Sequence, residues 1–311
     1  MTFKKYLESQ SKSKSTIKCY DYYVLDYLAW LDKDKIEAEN ATSKDVMAYL
    51  GHLQTKGQAN KTRSYRLRAI KHFYDWKISL EQLEYNPARQ IKLRGTKTKT
   101  LYPVLSRQEL ELLHTEYQIP EPNASNSNRN WFVRSRVSKQ RNKVLIGLMV
   151  NQGITTAEAS KIELKDLNLR AGKLHIKGGR KSNPRDLELK PHQIMDLMEY
   201  QLQTRAELLD YQSNPDTTYL FLAVPGVGKR HTQSNGQLQV WKGLRNELRK
   251  SQPKLINFKQ IRASVIVLWL KQYNLREVQY RAGHRYVSST EAYLSAQIDD
   301  LQADIDRFHP I

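Results

Sequence analysis

The residues best suited to chemistry lie near the C-terminal end of the chain. Lys259 and Arg262 are spaced as Lys-x-x-Arg. His284 follows a glycine, and Tyr293 comes nine residues after His284. These side chains supply two cations that can hold a phosphate, a group whose charge changes near neutral pH and a phenol oxygen that can act as a nucleophile. Such a set can cut a phosphodiester without a metal ion.

The charge of the chain indicates which molecule supplies that phosphodiester. Among 311 residues, Lys and Arg number 51 against 32 Asp and Glu, a formal net charge of +19. An excess of this size predicts a polyanionic partner, because phosphate neutralisation releases counterions. Ribosomal, membrane-surface and heparin-binding proteins share such a charge, so the assignment to nucleic acid depends on the residues above. With 39% hydrophobic and 27% charged residues, the chain is expected to fold around a real core.

Composition also argues against several other classes of protein. Cys19 is the only cysteine, which excludes an intramolecular disulfide and a cysteine-based zinc cluster. The histidines show no metal-ligand spacing, and we expect no cofactor. The N-terminus lacks the apolar run of a signal peptide, and no apolar run reaches the roughly 20 residues needed to cross a bilayer. The protein is therefore expected in the cytoplasm, with no membrane contact.

Residues 1–93 are predicted to form a small helical domain. One helical face of the first long helix carries Ile17, Tyr20, Val24, Tyr27, Leu28 and Leu31. Ser43 is predicted to cap a second helix whose inward residues are Val46, Met47, Leu50 and Leu53. A third helix is expected over residues 60–77, and it carries no acid before Asp75.

Basic residues of that third helix, together with a basic linker over residues 94–104, are candidates for DNA contact. The predicted DNA-binding residues are Lys61, Arg63, Arg66, Arg68, Lys71, Lys97 and Lys99. A basic tether between two basic domains can follow a DNA backbone. The alternative for the linker is a solvated hinge.

Residues 105–311 are predicted to form a second domain that mixes helices with a small sheet. Ser106 and Glu109 have the spacing of a capping box at the start of a helix. Alternating residues at 174–176 and 186–189, with turn residues between them, predict a short antiparallel sheet within 167–189. Helices are expected from residue 191, over 238–250 and over 258–272. The fold class is therefore mainly α with a small antiparallel β-sheet.

These motifs resemble those of the tyrosine recombinases, also called phage-type integrases. Phe258-Lys-Gln-Ile-Arg262 matches the family's His/Lys-x-x-Arg box, and Gly283-His284 with Tyr293 matches its Gly-His…Tyr pattern. Residues 105–311 resemble the family's mixed α/β catalytic domain. Residues 1–93 look like its helical core-binding domain, which clamps DNA.

The resemblance implies a role for each residue. Tyr293 would be the nucleophile that forms a covalent 3′-phosphotyrosine, and Arg262 and Lys259 would hold the phosphate. His284 would donate to the phosphate or help to take the tyrosine proton. Lys177 would be the general acid that protonates the leaving 5′ oxygen. The hairpin here is longer than usual, so Lys181 is an alternative to Lys177.

One departure from the family pattern concerns a phosphate-binding arginine. The family's Gly-Leu-Arg-x-x-Glu box is Gly153-Ile-Thr-Thr-Ala-Glu158 in this chain, so Thr155 stands where the arginine is expected. Losing such a cation costs about 3–4 kcal/mol of transition-state stabilisation if nothing replaces it. The candidate replacements are Arg134, Arg136, Arg141, Arg180 and Arg185.

The resemblance implies a site-specific DNA recombinase that acts on double-stranded DNA as a tetramer through a four-way junction, with possible accessory DNA-bending proteins. A tail from about residue 295 would join the subunits through Ile298, Leu301, Ile305 and Phe308; the alternative is that it docks on its own domain. The Thr155 departure favours an integrase of a mobile genetic element. The alternatives are a catalytically impaired DNA-binding protein on the same fold, and a nicking-closing topoisomerase.

Overall fold

The computed structural model describes residues 1–95, 102–125, 127, 129–179, 182–224 and 233–294. The chain divides into two compact units, Met1–Thr100 and Leu101–Ile311. Within the described ranges, no helix is both long enough and apolar enough to span a membrane.

The first unit is a helical bundle. Its helices are α1 (Phe3–Ser9), α2 (Lys14–Lys33), α3 (Ser43–Thr55) and α4 (Asn60–Ser79). The predicted apolar face of α2 is confirmed, because five of its six members are buried and Leu28 packs against them. Helix α1 was not predicted; it is capped by Thr2, whose hydroxyl accepts from the backbone N–H of Lys5, and it buries Phe3 and Leu7.

Two predictions for α3 are wrong. Its N-cap is Thr42 rather than Ser43, and Asp45 completes a capping box with Thr42. Met47 is 50% exposed, although it was expected to face inward. Tyr49 occupies the interior instead, with its ring packed against those of Tyr27 and Trp30.

The second unit places helices around one short sheet. In chain order its elements are α5 (Arg107–Thr115), α6 (Asn130–Gln152), α7 (Thr156–Ala159), a 3-10 turn (Leu164–Asp166), β1 (Leu167–Asn168), β2 (Lys173–Ile176), β3 (Arg185–Glu188), α8 (Pro191–Glu199), a π-helical turn (Tyr200–Thr204), α9 (Arg205–Leu209), α10 (Gln233–Ser251), α11 (Phe258–Leu270), α12 (Leu275–Ala282) and α13 (Ser288–Glu291). The predicted fold class, mainly α with a small antiparallel sheet, is confirmed. The Ser106–Glu109 capping box is present at the start of α5.

The sheet has the order β1-β2-β3, and all its pairs are antiparallel. Leu174 pairs with Leu187, and both side chains are buried in the core. Strand β3 begins at Arg185, one residue earlier than predicted, and Arg185 pairs with Ile176. Because residues two apart on a strand face the same side, Arg185 shares the inward face with Leu187. This register therefore points the guanidinium of Arg185 toward the core.

The chain leaves α6 through a turn that brings α7 close to α11. Gly153 ends α6 with φ +56°, a left-handed conformation that favours glycine. A Cβ atom on Gly153 would lie 3.2 Å from a methyl group of Val265 on α11. This close approach places Thr155 and Glu158, which begin α7, next to Arg262 in the first turn and a half of α11.

Candidate active site

A cleft of about 290 Å³ opens in the second unit. It lies between α7, the β2–β3 hairpin, the start of α11 and the end of α12. The side chains that matter for its chemistry are Thr155, Glu158, Lys161, Lys177, Arg262 and His284. The fold therefore gathers, around one cavity, residues that are up to 129 positions apart in the sequence.

Arg262 is fixed at the back of the cleft by two backbone carbonyls. Its Nη1 donates to the carbonyl of Gly153 at 2.6 Å, and its Nη2 donates to the carbonyl of Ala282 at 2.6 Å. Glu158 Oε2 lies 3.7 Å from Nη1. Burial lowers the pKa of Arg262, but a guanidinium remains protonated in proteins. Arg262 therefore offers a fixed positive charge that joins the ends of α6 and α12.

Glu158 and Arg185 form an ion pair below the cleft. The distance from Arg185 Nη1 to Glu158 Oε1 is 2.7 Å, and the Arg185 side chain is fully buried. Burial alone would raise the pKa of Glu158, but the hydrogen bond and charge of Arg185, together with the charge of Arg262, hold it below its usual range. Glu158 is thus a half-buried carboxylate that links two arginines.

Thr155 acts as a helix cap at the start of α7. Its Oγ1 accepts from the backbone N–H of Glu158 at 3.1 Å and donates to Glu158 Oε2 at 2.9 Å. The backbone N–H of Thr155 also donates to that oxygen, at 2.8 Å. These bonds stabilise the first turn of α7, but they leave the cleft without a cation at residue 155.

Four of the five candidate replacement arginines either do not line the cleft or are buried beneath it. Arg134 stacks over the ring of Tyr211 at 4.9 Å, and Arg136 pairs with Glu207 at 3.3 Å. Arg141 is buried and donates to the carbonyl of Leu222. None of these three lines the cleft. Arg185 lies beneath the cleft with no exposed surface, and Arg180 is outside the described residues.

Lys177 lines the cleft at the end of β2 and is held by two carboxylates. Its Nζ lies 2.9 Å from Glu163 Oε1 and 3.3 Å from Asp166 Oδ2. The hydrogen bond that Lys177 donates to Glu163 is the largest cause of its raised pKa. The ammonium is therefore protonated at neutral pH, as a proton donor must be. Lys181, its alternative, is outside the described residues.

His284 and Tyr293 lie with their rings stacked. The ring centroids are 5.9 Å apart and the planes differ by 7°. His284 Nδ1 is 2.9 Å from Thr290 Oγ1. Burial, followed by the positive charges of Arg262 and Arg185, lowers the pKa of His284 to about 4. His284 is therefore neutral at pH 7 and lies between the cleft, which it lines, and the phenol of Tyr293.

Lys259 is not brought to the cleft in this arrangement. It is exposed in the first turn of α11, where its backbone N–H donates to the Asn257 side chain that caps the helix. It lies one helical turn before Arg262. The Lys-x-x-Arg spacing thus places one cation in the cleft and one on the surface.

The basic residues predicted to contact DNA on α4 divide between surface and interior. Lys61 and Arg68 are exposed. Arg63 and Arg66 are buried: Arg63 donates to the carbonyl of Leu50 and to Gln54, while Arg66 pairs with Asp26.

Lys71, also on α4, is half-buried. It donates to the carbonyls of Arg89 and Ile91. Lys97 and Lys99 are outside the described residues. Among the described members of the predicted set, only Lys61 and Arg68 present their charge to solvent.

Lys161 is a cleft residue that none of the sequence motifs includes. It follows Glu158 by three residues and lines the same cavity as Arg262 and His284. No helical spacing indicates it, because α7 ends at Ala159 and Lys161 lies in the turn that follows. A second unselected group is the pair of His175 Nδ1 and Asp186 Oδ1, 2.7 Å apart on neighbouring strands.

Two family profiles and several curated proteins match this chain. The profile of the Phage integrase family matches residues 127–299, and that of the Phage integrase, N-terminal SAM-like domain matches residues 1–81. Tyrosine recombinase XerA of Pyrococcus furiosus is 24% identical over 98% of this chain and 92% of its own length. Tyrosine recombinase XerC of Oceanobacillus iheyensis is 25% identical over 99% of this chain and 95% of its own length.

Solved structures add a likeness of fold. The XerH site-specific recombinase bound to palindromic difH substrate, in a post-cleavage complex, superposes with a TM-score of 0.66 at 20% identity. The match covers 93% of this chain and 79% of that one.

Proposed function

Because the chain belongs to the phage integrase family of tyrosine recombinases, we propose that it cuts and rejoins double-stranded DNA at specific sites through a covalent 3′-phosphotyrosine. The observation that carries the proposal is the cleft itself. Arg262, His284 and Lys177 line one cavity, and the ring of Tyr293 stacks on that of His284.

In the cleavage step, Tyr293 Oη attacks the scissile phosphorus and the bond from phosphorus to the 5′ oxygen breaks. The phenol proton passes to His284, which is neutral and can accept it. The 5′ oxygen takes a proton from the Lys177 ammonium and leaves as a hydroxyl. Arg262 holds the non-bridging oxygens of the phosphate and stabilises the charge that grows on them in the transition state.

In the rejoining step, the 5′ hydroxyl of another strand attacks the phosphotyrosine and returns the phenol. Lys177 regains its proton from that hydroxyl, and His284 returns the proton to Tyr293. The ester with tyrosine stores the energy of the broken bond, so strand exchange needs no nucleotide cofactor.

The assembly follows from the same assignment. Residues 1–93 form a DNA clamp, residues 94–104 a basic linker and residues 105–311 the catalytic domain. Four protomers pair two DNA sites and exchange strands through a four-way junction, joined by the tail from about residue 295. The net charge of +19 supports the DNA partner, while the tail and Lys97 and Lys99 of the linker are outside the described residues.

The origin of the chain in a mobile genetic element is supported by Thr155, which departs from the family's arginine. An integrase of such an element joins two different sites, whereas a resolvase acts on two identical ones. A plasmid assay can tell an integrase from a resolvase. It pairs the DNA site that the protein binds with a library of second sites. Exclusive recombination between identical sites would overturn the mobile-element origin.

The experiment begins with selection of bound duplexes from a random library by the Tyr293→Phe variant. The enriched sequence is then nicked near the cleavage position, so that the released fragment diffuses away and the adduct accumulates. The parent protein should form a covalent protein–DNA adduct, and Tyr293→Phe should form none. Selective binding without any adduct identifies a DNA-binding protein that does not cut, and relaxation of any supercoiled plasmid identifies a topoisomerase.

A further inference from the structure

The cleft is short of positive charge for the phosphate it is proposed to hold. Thr155 supplies a helix cap in place of a cation. Of the cations that line the cleft in the described part of the chain, Lys177 is paired with Glu163 and Asp166. Arg262 directs two nitrogens at backbone carbonyls. A bound phosphate would therefore need a further donor.

Lys161 is placed to be that donor. It lines the cleft, its side chain is exposed, and within the described ranges its ammonium has no hydrogen-bond or ion-pair partner. Its backbone is fixed, because its N–H donates to the carbonyl of Glu158 at 2.9 Å. An ammonium on a flexible four-carbon stem suits a phosphate oxygen that arrives with the substrate.

The position of Lys161 also fits the place left by Thr155. Helix α7 has four residues, so it is a single turn of about 6 Å at 1.5 Å per residue. Thr155 precedes this turn, Lys161 follows it, and both line the cleft. Glu158, between them, holds Arg185 and Arg262 in place. A cation at either end of α7 can therefore point into the same cavity.

We propose that Lys161 is a catalytic residue that binds a non-bridging oxygen of the scissile phosphate, in place of the arginine that Thr155 replaces. The inference rests on the proposed DNA cleavage. It assigns the missing positive charge to a lysine and not to any of the five candidate arginines.

The first test compares Lys161→Ala and Lys161→Arg with the parent on the nicked duplex. Lys161→Ala should slow adduct formation by about a hundred-fold, and Lys161→Arg should keep most of the rate. Lys173→Ala is the matched control, because Lys173 is an exposed lysine on β2 that does not line the cleft. Cleavage by Lys161→Ala at the rate of the parent would overturn the proposal.

A second substrate separates charge stabilisation from a structural role. In a duplex with a methylphosphonate at the scissile position, a neutral methyl replaces one non-bridging oxygen, so the cation has less charge to balance. The defect of Lys161→Ala should shrink to a few-fold on this duplex. An equal defect on both substrates, or a loss of thermal stability that accounts for it, would assign Lys161 a structural role instead.

A third measurement needs no cleavage. In the Tyr293→Phe background, the logarithm of the binding constant falls linearly with the logarithm of the salt concentration. Replacing Lys161 by Ala should make this slope shallower by about 0.9, the contribution of one phosphate contact. Lys173→Ala should leave the slope unchanged. If the parent forms no adduct, the proposed cleavage fails, and this slope still decides whether Lys161 contacts a phosphate; an unchanged slope would show that it does not.

Discussion

Gly283 lies directly above the guanidinium of Arg185. A Cβ atom at residue 283 would be 3.0 Å from Arg185 Cζ and 3.2 Å from its Cδ, and the backbone there has φ +66°. The Asn183 backbone N–H also donates to the carbonyl of Gly283, at 3.0 Å. The glycine before His284 is therefore needed for two physical reasons, the left-handed turn and the buried arginine beneath it.

Gly283→Ala should destabilise the second unit. The left-handed conformation costs a non-glycine residue roughly 1 kcal/mol, and moving Arg185 adds to it, so we expect a total loss of about 1–3 kcal/mol in the free energy of unfolding. Urea unfolding measures it. Gly243→Ala is the control, because Gly243 lies in α10 with open space around a Cβ; that change should raise stability by up to about 1 kcal/mol. Equal stabilities for Gly283→Ala and the parent would contradict the role of the turn.

The buried pair of Arg185 and Glu158 should show strong coupling. Arg185→Met leaves a half-buried carboxylate with Arg262 as its remaining cation, and should cost about 3 kcal/mol of stability. Glu158→Gln leaves the fully buried Arg185 guanidinium without a carboxylate and should cost at least as much, and the double variant should cost less than the sum of the two. A double-mutant cycle in urea unfolding measures the difference. Additive effects would mean that the pair contributes no mutual stabilisation.

The low pKa of His284 predicts a stability that depends on pH. The folded value of about 4 lies below the unfolded value of about 6.5. As the pH falls through this interval, the unfolded state binds a proton that the folded state does not. Stability should therefore fall between about pH 6.5 and pH 4, by on the order of 1–2 kcal/mol after allowing for solvent screening of a ring that is not fully buried.

The measurement compares the pH dependence of unfolding in the parent and in His284→Gln, which has no titrating ring. Between pH 6.5 and pH 4, the free energy of unfolding should fall less in the variant than in the parent. Titration of the ring by nuclear magnetic resonance gives the pKa directly. A value near 6.5 in the folded protein would contradict the predicted burial and the influence of the two arginines.

Thr155→Arg should rescue the loss caused by Lys161→Ala. The new guanidinium begins at the opposite end of α7 but enters the same cleft, so we expect the double variant to recover at least about ten-fold in adduct formation. The change also removes the helix cap and should lower stability by about 1 kcal/mol. Thr155→Ser keeps the cap without a cation and should rescue nothing. Equal rates for the serine and arginine variants would contradict a shared role for residues 155 and 161.

Lys177 should be needed only for a leaving group that requires a proton. A bridging 5′ sulfur leaves as a thiolate, since thiols have a pKa near 8.5. Lys177→Ala should be slow on the ordinary duplex and close to the parent on the 5′-thio duplex. Arg262→Ala should be slow on both, because its role concerns the non-bridging oxygens. A Lys177→Ala defect that persists with sulfur would exclude proton donation by Lys177.

The sequence by itself determined the local features of the fold and the family. The apolar period of α2, the capping box at Ser106 and the alternation around Leu174 all arise from neighbours in the chain, and each appears in the structure. The Lys-x-x-Arg box, together with Gly283-His284 and Tyr293, was sufficient to identify the tyrosine recombinases. The cap of α3 was assigned wrongly because the adjacent Thr42 and Ser43 can each cap a helix. Met47 was expected inside because helical spacing alone does not distinguish it from Tyr49.

Only the tertiary structure decided which charged groups are available for chemistry. Arg63 and Arg66 look like surface cations in the sequence, yet both are buried with partners. Arg185 lies under Gly283, whereas Lys161 is exposed in the cleft. The net charge can be summed from the sequence. Whether a charged side chain is desolvated or paired depends on contacts between residues far apart in sequence. For that reason the sequence could suggest that a cation is missing at Thr155, but it could not suggest Lys161 as the residue proposed to take its place.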